Sequence, residues 1–75
     1  MDIAKIREAV NAVPFVPFEI HRAGGRVSRV EHPDFIALTP SGRSVVVVRN
    51  EAGQDRQETI AVSLIVALHQ DVPAS

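Results

Sequence analysis

The side chains that could carry acid–base or metal chemistry are three histidines and the carboxylates near them in the sequence. They are His21, His32 and His69, with Glu19, Glu31, Asp34 and Asp71. The densest group is the segment Glu31–Asp34, in which a carboxylate could orient His32 as a general base or a metal ligand. No two histidines stand at metal-ligand spacing, so a metal would need ligands from distant segments. The simpler interpretation is a turn in which the Asp34 carboxylate accepts backbone hydrogen bonds after Pro33.

The sequence has no motif for nucleophilic catalysis or for phosphate binding. None of its Ser and Thr residues stands in a nucleophile-elbow context. Gly24-Gly25 lacks the helix and the lysine that follow the glycines of a phosphate-binding loop. Because there are no cysteines, thiolate metal sites and disulfides are excluded. We therefore expect a protein that is not an enzyme, with no catalytic residue, no cofactor and no bound metal.

Positive charge is concentrated in the middle of the chain, although the whole chain has a net charge of −1. Residues 22–49 hold five arginines against two carboxylates, a local charge of +3, and the remainder carries −4. If the arginines share one face, they would attract an anionic partner such as RNA. The alternative is that they only solvate exposed strand positions. The candidate anion or RNA contacts are Arg22, Arg26, Arg29, Arg43 and Arg49.

The length of the chain predicts one small domain. We place it at residues 1–70, followed by a flexible C-terminal tail at residues 71–75. Domains of this size bury only about 60% of their unfolded surface, and self-association is one way to gain stability. The first 13 residues resemble no signal peptide, and no apolar segment has transmembrane length. The sequence therefore predicts a cytoplasmic protein with no membrane partner.

An amphipathic helix is predicted at residues 2–13, since Asp2 is a favourable N-cap and Pro14 cannot continue a helix. Its apolar residues recur at helical spacing. They could dock on the protein's own sheet, on a neighbouring subunit or on a partner protein. These candidate docking residues are Ile3, Ile6, Val10 and Val13.

About five short antiparallel strands are predicted after the helix, in a small, strongly bent sheet or barrel. The segment Val45–Val48 has four β-branched residues in succession, so we expect both of its faces to be buried. Ser63 indicates a break before Leu64–Leu68, which is predicted as another strand buried on both faces. Val27 and Val30 would lie on opposite faces of a regular strand, which predicts a bend or bulge between them.

Two further patterns predict a hairpin turn and the inward face of a strand. Gly24-Gly25 predicts a tight hairpin turn after an alternating strand. Near the end of the chain Glu58, Ile60 and Val62 share one face, and the two apolar residues are predicted to point inward.

Two short segments resemble the bacterial Sm-like RNA chaperone. Phe18–Arg26 is similar to the first hairpin of that family, and Thr59–Val66 is similar to its last two strands. The resemblance covers most of Phe18–Leu68 and implies an Sm-like or SH3-like fold, assembly into a homo-oligomer and RNA as a partner. The family's Lys-His pair would fall at Thr59-Ile60, and the aromatic residue for base stacking has no counterpart, so no RNA-contact residue is transferred.

A second resemblance is to a set of small bacterial proteins of unassigned function. It rests on four short motifs and implies no activity. The motifs are Pro14–Phe18, Gly25-Arg26, His32–Phe35 and Gly42-Arg43.

The residues and the resemblances together favour a non-enzymatic, homo-oligomeric binding module that contacts RNA or another anionic partner. The alternative is a small protein-interaction or regulatory subunit without nucleic-acid binding, which would use the helix or a free strand edge. A third hypothesis is a compact hydrolase or metal protein built on the Glu31–Asp34 turn.

Overall fold

The computed structural model describes residues 2–72, which form one helix and six strands. Residues 73–75 of the predicted tail lie outside the described residues. The elements are α1 (Ile3–Asn11), β1 (Phe18–Arg22), β2 (Val27–Val30), β3 (Ile36–Leu38), β4 (Ser44–Glu51), β5 (Gln54–Ala61) and β6 (Ile65–Gln70). Short 3₁₀ turns at Pro33–Phe35 and Val62–Leu64 separate β2 from β3 and β5 from β6.

The strands form two antiparallel sheets of three strands each, in the orders β2-β1-β6 and β3-β4-β5. The mostly β fold with one N-terminal helix is confirmed. The single five-stranded sheet is wrong, and the strands of residues 2–72 do not close into a barrel. The physical reason is that each of the two 3₁₀ turns carries the chain from one sheet to the other. The strands are therefore divided between two sheets and do not form one continuous sheet.

The predicted irregularity in β2 lies elsewhere. The β1–β2 pairing is regular from Phe18↔Val30 to His21↔Val27, and Val27 is simply exposed while Ser28 and Val30 are buried. The register shift occurs instead between His21 and Arg22, in the pairing of β1 with β6. The prediction of a bulge in β2 was wrong because it assumed that every valine of the strand must point inward.

Burial on both strand faces is seen only in part for the two apolar segments. Val45 and Val47 are 0% exposed, but Val46 and Val48 on the other face of β4 are only half-buried. In the last strand Ile65 is buried and Val66 is 63% exposed, and Leu64, in the 3₁₀ turn before the strand, is 52% exposed. The prediction for Leu64–Leu68 was wrong because Leu64 belongs to the 3₁₀ turn, Val66 lies at a register shift, and the other face of β6 is shared with the polar side chains of Glu19, His21 and His69.

The helix packs on the protein's own sheets. Asp2 caps it by accepting a hydrogen bond from the Ala4 N–H at 3.0 Å. Ile6 is fully buried in the common core, and Ile3 and Val10 pack at the margin of that core. The helix is shorter than the predicted 2–13. Val13 lies beyond its end and is 96% exposed, since the residue before a proline is disfavoured in helical conformation.

One apolar core joins the helix and both sheets. Its largest fully buried side chains include Phe18, Ile6 and Ile20, and the predicted inward residues Ile60 and Val62 also belong to it. Among residues 2–72 no helix has the length and apolar composition needed to cross a membrane.

Candidate functional site

Two predicted anion contacts, Arg22 and Arg26, bind a carboxylate of the protein itself. The Arg22 guanidinium donates from Nη1 to Glu58 Oε2 at 3.3 Å and from Nη2 to Glu58 Oε1 at 3.2 Å. Arg26 Nη2 donates to Glu58 Oε2 at 3.0 Å. Because Glu58 lies on β5 and Arg22 on β1, these bonds connect the two sheets.

A buried hydroxyl completes this arrangement. Ser28 is 2% exposed, accepts from Arg22 Nη2 at 3.0 Å and donates to Glu58 Oε1 at 3.2 Å. The side chains of Arg22 and Glu58 are only 11% and 18% exposed. We call Arg22, Arg26, Ser28 and Glu58 the inter-sheet cluster. Each Glu58 carboxylate oxygen accepts hydrogen bonds from two donors, and these bonds stabilise the contact between the two sheets.

The electrostatics of the inter-sheet cluster favour the charged form of Glu58. Burial alone would raise the pKa of this carboxyl. The charge of Arg22, the hydrogen bond from Ser28 and the charge of Arg26 outweigh the burial, so the pKa of Glu58 lies below its usual value of 4.5.

A third predicted contact, Arg29, is held by carboxylates at the solvent surface. It donates to Glu31, and its Nη1 donates to Asp71 Oδ1 at 3.2 Å, while Glu19 Oε2 lies 3.9 Å away. The hydrogen bond from Arg29 lowers the pKa of Asp71, and the bonds to Asp71 and Glu31 raise the pKa of Arg29. The positive charge of Arg29 is therefore balanced locally.

Of the two remaining arginines, Arg43 immediately precedes β4 and Arg49 lies near its end. Arg49 Nη1 lies 3.7 Å from Glu51 Oε1, and both side chains are exposed. Arg43 is exposed and its side chain is in no ion pair within residues 2–72. Four of the five predicted arginines are thus ion-paired within the chain, and their role as anion contacts stays a prediction.

The Glu31–Asp34 turn has a structural explanation. His32 precedes the 3₁₀ turn, and its Nδ1 accepts a hydrogen bond from the Asp34 N–H at 3.3 Å. The acceptor is thus the imidazole, whereas the sequence predicted the Asp34 carboxylate. The His32 and Asp34 side chains are 59% and 84% exposed, and 3.5 Å separates His32 Nδ1 from Asp34 Oδ2.

A different group of ionisable side chains meets on the outer face of the β2-β1-β6 sheet. Glu19 and His21 stand two residues apart on β1, so they share a face, and the strand register places His69 of β6 opposite Glu19. His21 Nε2 lies 3.1 Å from Glu19 Oε1, and the imidazole centroids of His21 and His69 are 4.0 Å apart. We call these three residues the outer-face cluster.

Sequence reasoning named all three of these residues but did not join them. Glu19 and His21 have the same strand parity, which was a usable signal. The proximity of His69 depends on β1 pairing with β6 across most of the chain, and no local pattern indicates that pairing.

Comparison of the chain with protein-family models, with curated proteins and with solved structures finds no match of any of the three kinds.

Proposed function

We propose that this protein is a non-enzymatic binding module that assembles with further copies of itself through the outer edge of β6. The observation that carries the proposal is an edge strand with exposed apolar side chains. Leu64, immediately before β6, is 52% exposed, and Val66 within it is 63% exposed.

An edge strand presents backbone N–H and C=O groups that can pair with another strand. Among the strands of residues 2–72, β6 pairs only with β1, which leaves its other edge without a strand partner. Natural edges are commonly protected by lysine, proline, inward-pointing charge or a β-bulge. The segment Ile65–Gln70 has no lysine or proline, and its one irregularity is the register shift that leaves Val66 without a paired residue on β1. Strand addition at this edge would satisfy the backbone groups and cover Val66.

A second copy is the partner that the size of the chain favours. A domain of this size buries a smaller share of its unfolded surface than a larger domain does, and self-association is a common source of further burial. Three further outer strands of residues 2–72, β2, β3 and β5, also pair on one side only, so the edge of β6 has possible pairing partners on a second copy.

The arginines give less support to RNA as the partner. Arg22 and Arg26 share the single carboxylate of Glu58, and Arg29 pairs with Asp71 and Glu31, so the three arginines are matched by three carboxylates. Anionic ligands would have to compete with these carboxylates, which lowers the net attraction that counterion release supplies. RNA binding therefore follows only from the resemblance, and an assembly or protein-interaction role is favoured.

Light scattering after size-exclusion chromatography tests the assembly. The wild-type chain should elute with a mass that is a multiple of 8.1 kDa, and Val66→Lys should shift the mass toward 8.1 kDa. Val72→Lys is the matched control, since Val72 is 92% exposed and lies outside the strands. A wild-type monomer at high protein concentration, or equal masses for Val66→Lys and wild type, would contradict the proposal.

Titration with single-stranded RNA at low and high salt tests the competing ligand. A complex that weakens steeply with salt and is weakened by Arg43→Ala would favour the nucleic-acid function. Absence of binding at low salt would remove RNA as a partner and leave the assembly role.

A further inference from the structure

We propose that the outer-face cluster, Glu19, His21 and His69, binds a divalent transition-metal ion. The three side chains offer one carboxylate oxygen and two imidazole nitrogens, and these donor atoms all lie within 4.8 Å of one another. This site is independent of the strand-edge assembly proposed above.

The backbone fixes the positions from which the donors converge. Glu19 and His21 project from one face of β1, and Glu19 and His69 are directly opposed across the β1–β6 ladder. Directly opposed residues have Cβ atoms about 4.5–5.5 Å apart, close enough for their side chains to share one ion. The register shift next to His21, between His21 and Arg22, changes the local direction of the strand at this point.

The spacing of the donors is near that of a metal site. In tetrahedral zinc with Zn–N bonds of about 2.0–2.1 Å, neighbouring donors are about 3.3 Å apart. Glu19 Oε1 and His21 Nε2 are already separated by 3.1 Å. His69 is exposed, and its donor nitrogen lies within 4.8 Å of both of these atoms.

The donor types select the ion. Imidazole with one carboxylate suits zinc and its neighbours in the first transition series, whereas magnesium and calcium require mainly oxygen ligands. Three protein ligands leave a fourth position open on the solvent side, as in zinc sites that retain an exchangeable ligand. Neutral imidazoles and one carboxylate leave a net charge of +1 on a bound divalent ion.

The surroundings supply a partner for the ligating carboxylate. Arg29 Nη1 lies 3.9 Å from the other Glu19 oxygen, Oε2, so Arg29 can orient the carboxylate while Oε1 faces the histidines. Arg29 would repel a cation if it were alone, but Asp71 and Glu31 both bind it. The side chains of His21 and Glu19 are 28% and 37% exposed, which leaves the cluster accessible to an ion.

Isothermal titration of the purified chain with ZnCl₂ tests the site. We expect one Zn²⁺ per chain, and a rise in Kd of at least roughly tenfold in His21→Ala and in His69→Ala. His32→Ala is the matched control, since His32 also lies near a carboxylate, Asp34, but outside the cluster. MgCl₂ should show no binding to the wild-type protein. Failure of ZnCl₂ to bind, or equal affinity in His32→Ala and His69→Ala, would overturn the proposal.

Imidazole NMR signals of the wild-type protein provide a measurement that does not depend on variants. Addition of ZnCl₂ should shift the ring resonances of His21 and His69 and leave those of His32 unchanged. Shifts confined to His32 would overturn the assignment.

The Val66→Lys variant should bind ZnCl₂ as the wild type does, because Val66 is not a member of the cluster. Loss of binding in that variant would show a site that requires two chains and would contradict the three-ligand site within one chain.

Discussion

The inter-sheet cluster and the outer-face cluster both take side chains from β1, yet they differ in how fully their carboxylate and imidazole groups are bonded. Arg22 Nε is buried without a hydrogen-bond partner, but both terminal nitrogens of that guanidinium donate hydrogen bonds. In the inter-sheet cluster both Glu58 oxygens accept two hydrogen bonds each, and the Arg22 side chain is 11% exposed. In the outer-face cluster His21 bonds Glu19, and within residues 2–72 the His69 ring makes no hydrogen bond.

This difference separates a structural role from a binding role. Donors and acceptors that already bond one another at low exposure gain little from a ligand and lose much when one of them is removed. Exposed donors that converge with open coordination can bind an ion at small conformational cost. We therefore expect substitutions in the inter-sheet cluster to lower the stability of the protein, and substitutions in the outer-face cluster to lower its affinity for a ligand.

Removal of the Glu58 carboxylate should give the largest effect on stability. Glu58→Ala leaves the buried Arg22 guanidinium without its partner, so we expect the free energy of unfolding to fall by about 2–4 kcal/mol. Urea denaturation at one fixed protein concentration measures it, since assembly would make stability depend on concentration.

Glu19→Ala is the control for that variant, because it removes a carboxylate from the other cluster. Glu19 is 37% exposed and its ion pairs are at the surface, so its loss should cost at most about 1 kcal/mol. Equal losses in Glu58→Ala and Glu19→Ala would contradict the division of roles.

Ser28→Ala should give a smaller loss. The Ser28 hydroxyl is one of several partners of Arg22 and Glu58, and those two remain bonded to each other without it. We expect a loss of about 1 kcal/mol, the usual net value of one hydrogen bond, from the same urea measurement. Ser63→Ala, at an exposed position in the second 3₁₀ turn, should change stability by no more than about 0.5 kcal/mol. A Ser28→Ala protein as stable as Ser63→Ala would show that the hydroxyl is not needed.

Local patterns in the sequence predicted the elements better than their arrangement. The cap at Asp2 and the hairpin glycines act over a few residues, and both are confirmed where they were expected, whereas the helix ends at Asn11, before the predicted stop at Pro14. The division of the strands between two sheets depends on the 3₁₀ turns Pro33–Phe35 and Val62–Leu64. The sequence predicted a break at Ser63, but no local pattern indicates that the chain passes to the other sheet there.

The two clusters show the same limit. Strand parity correctly placed Glu58 on the same face of its strand as the inward Ile60. The burial of Ser28 was not predicted, because a serine in a strand is usually exposed. The sequence analysis predicted that Arg22 and Arg26 contact an anionic partner molecule. It did not predict their bonds to Glu58, because these bonds join strands that are far apart in sequence. Pairing across sheets is set by packing of the whole core, which residue spacing does not specify.

The pH dependence of stability can sharpen the contrast further. Because the folded-state pKa of Glu58 lies below its ordinary value, its stabilisation is complete above that value and is lost as the pH falls through the lowered pKa. We expect the difference in free energy of unfolding between wild type and Glu58→Gln to be largest at neutral pH and to shrink below about 4.5. The other carboxylates titrate in both proteins and cancel in the difference, including Asp71, whose pKa is also lowered. A difference for Glu58→Gln that stays constant down to acidic pH would show that the charge of Glu58 does not stabilise the contact between the sheets.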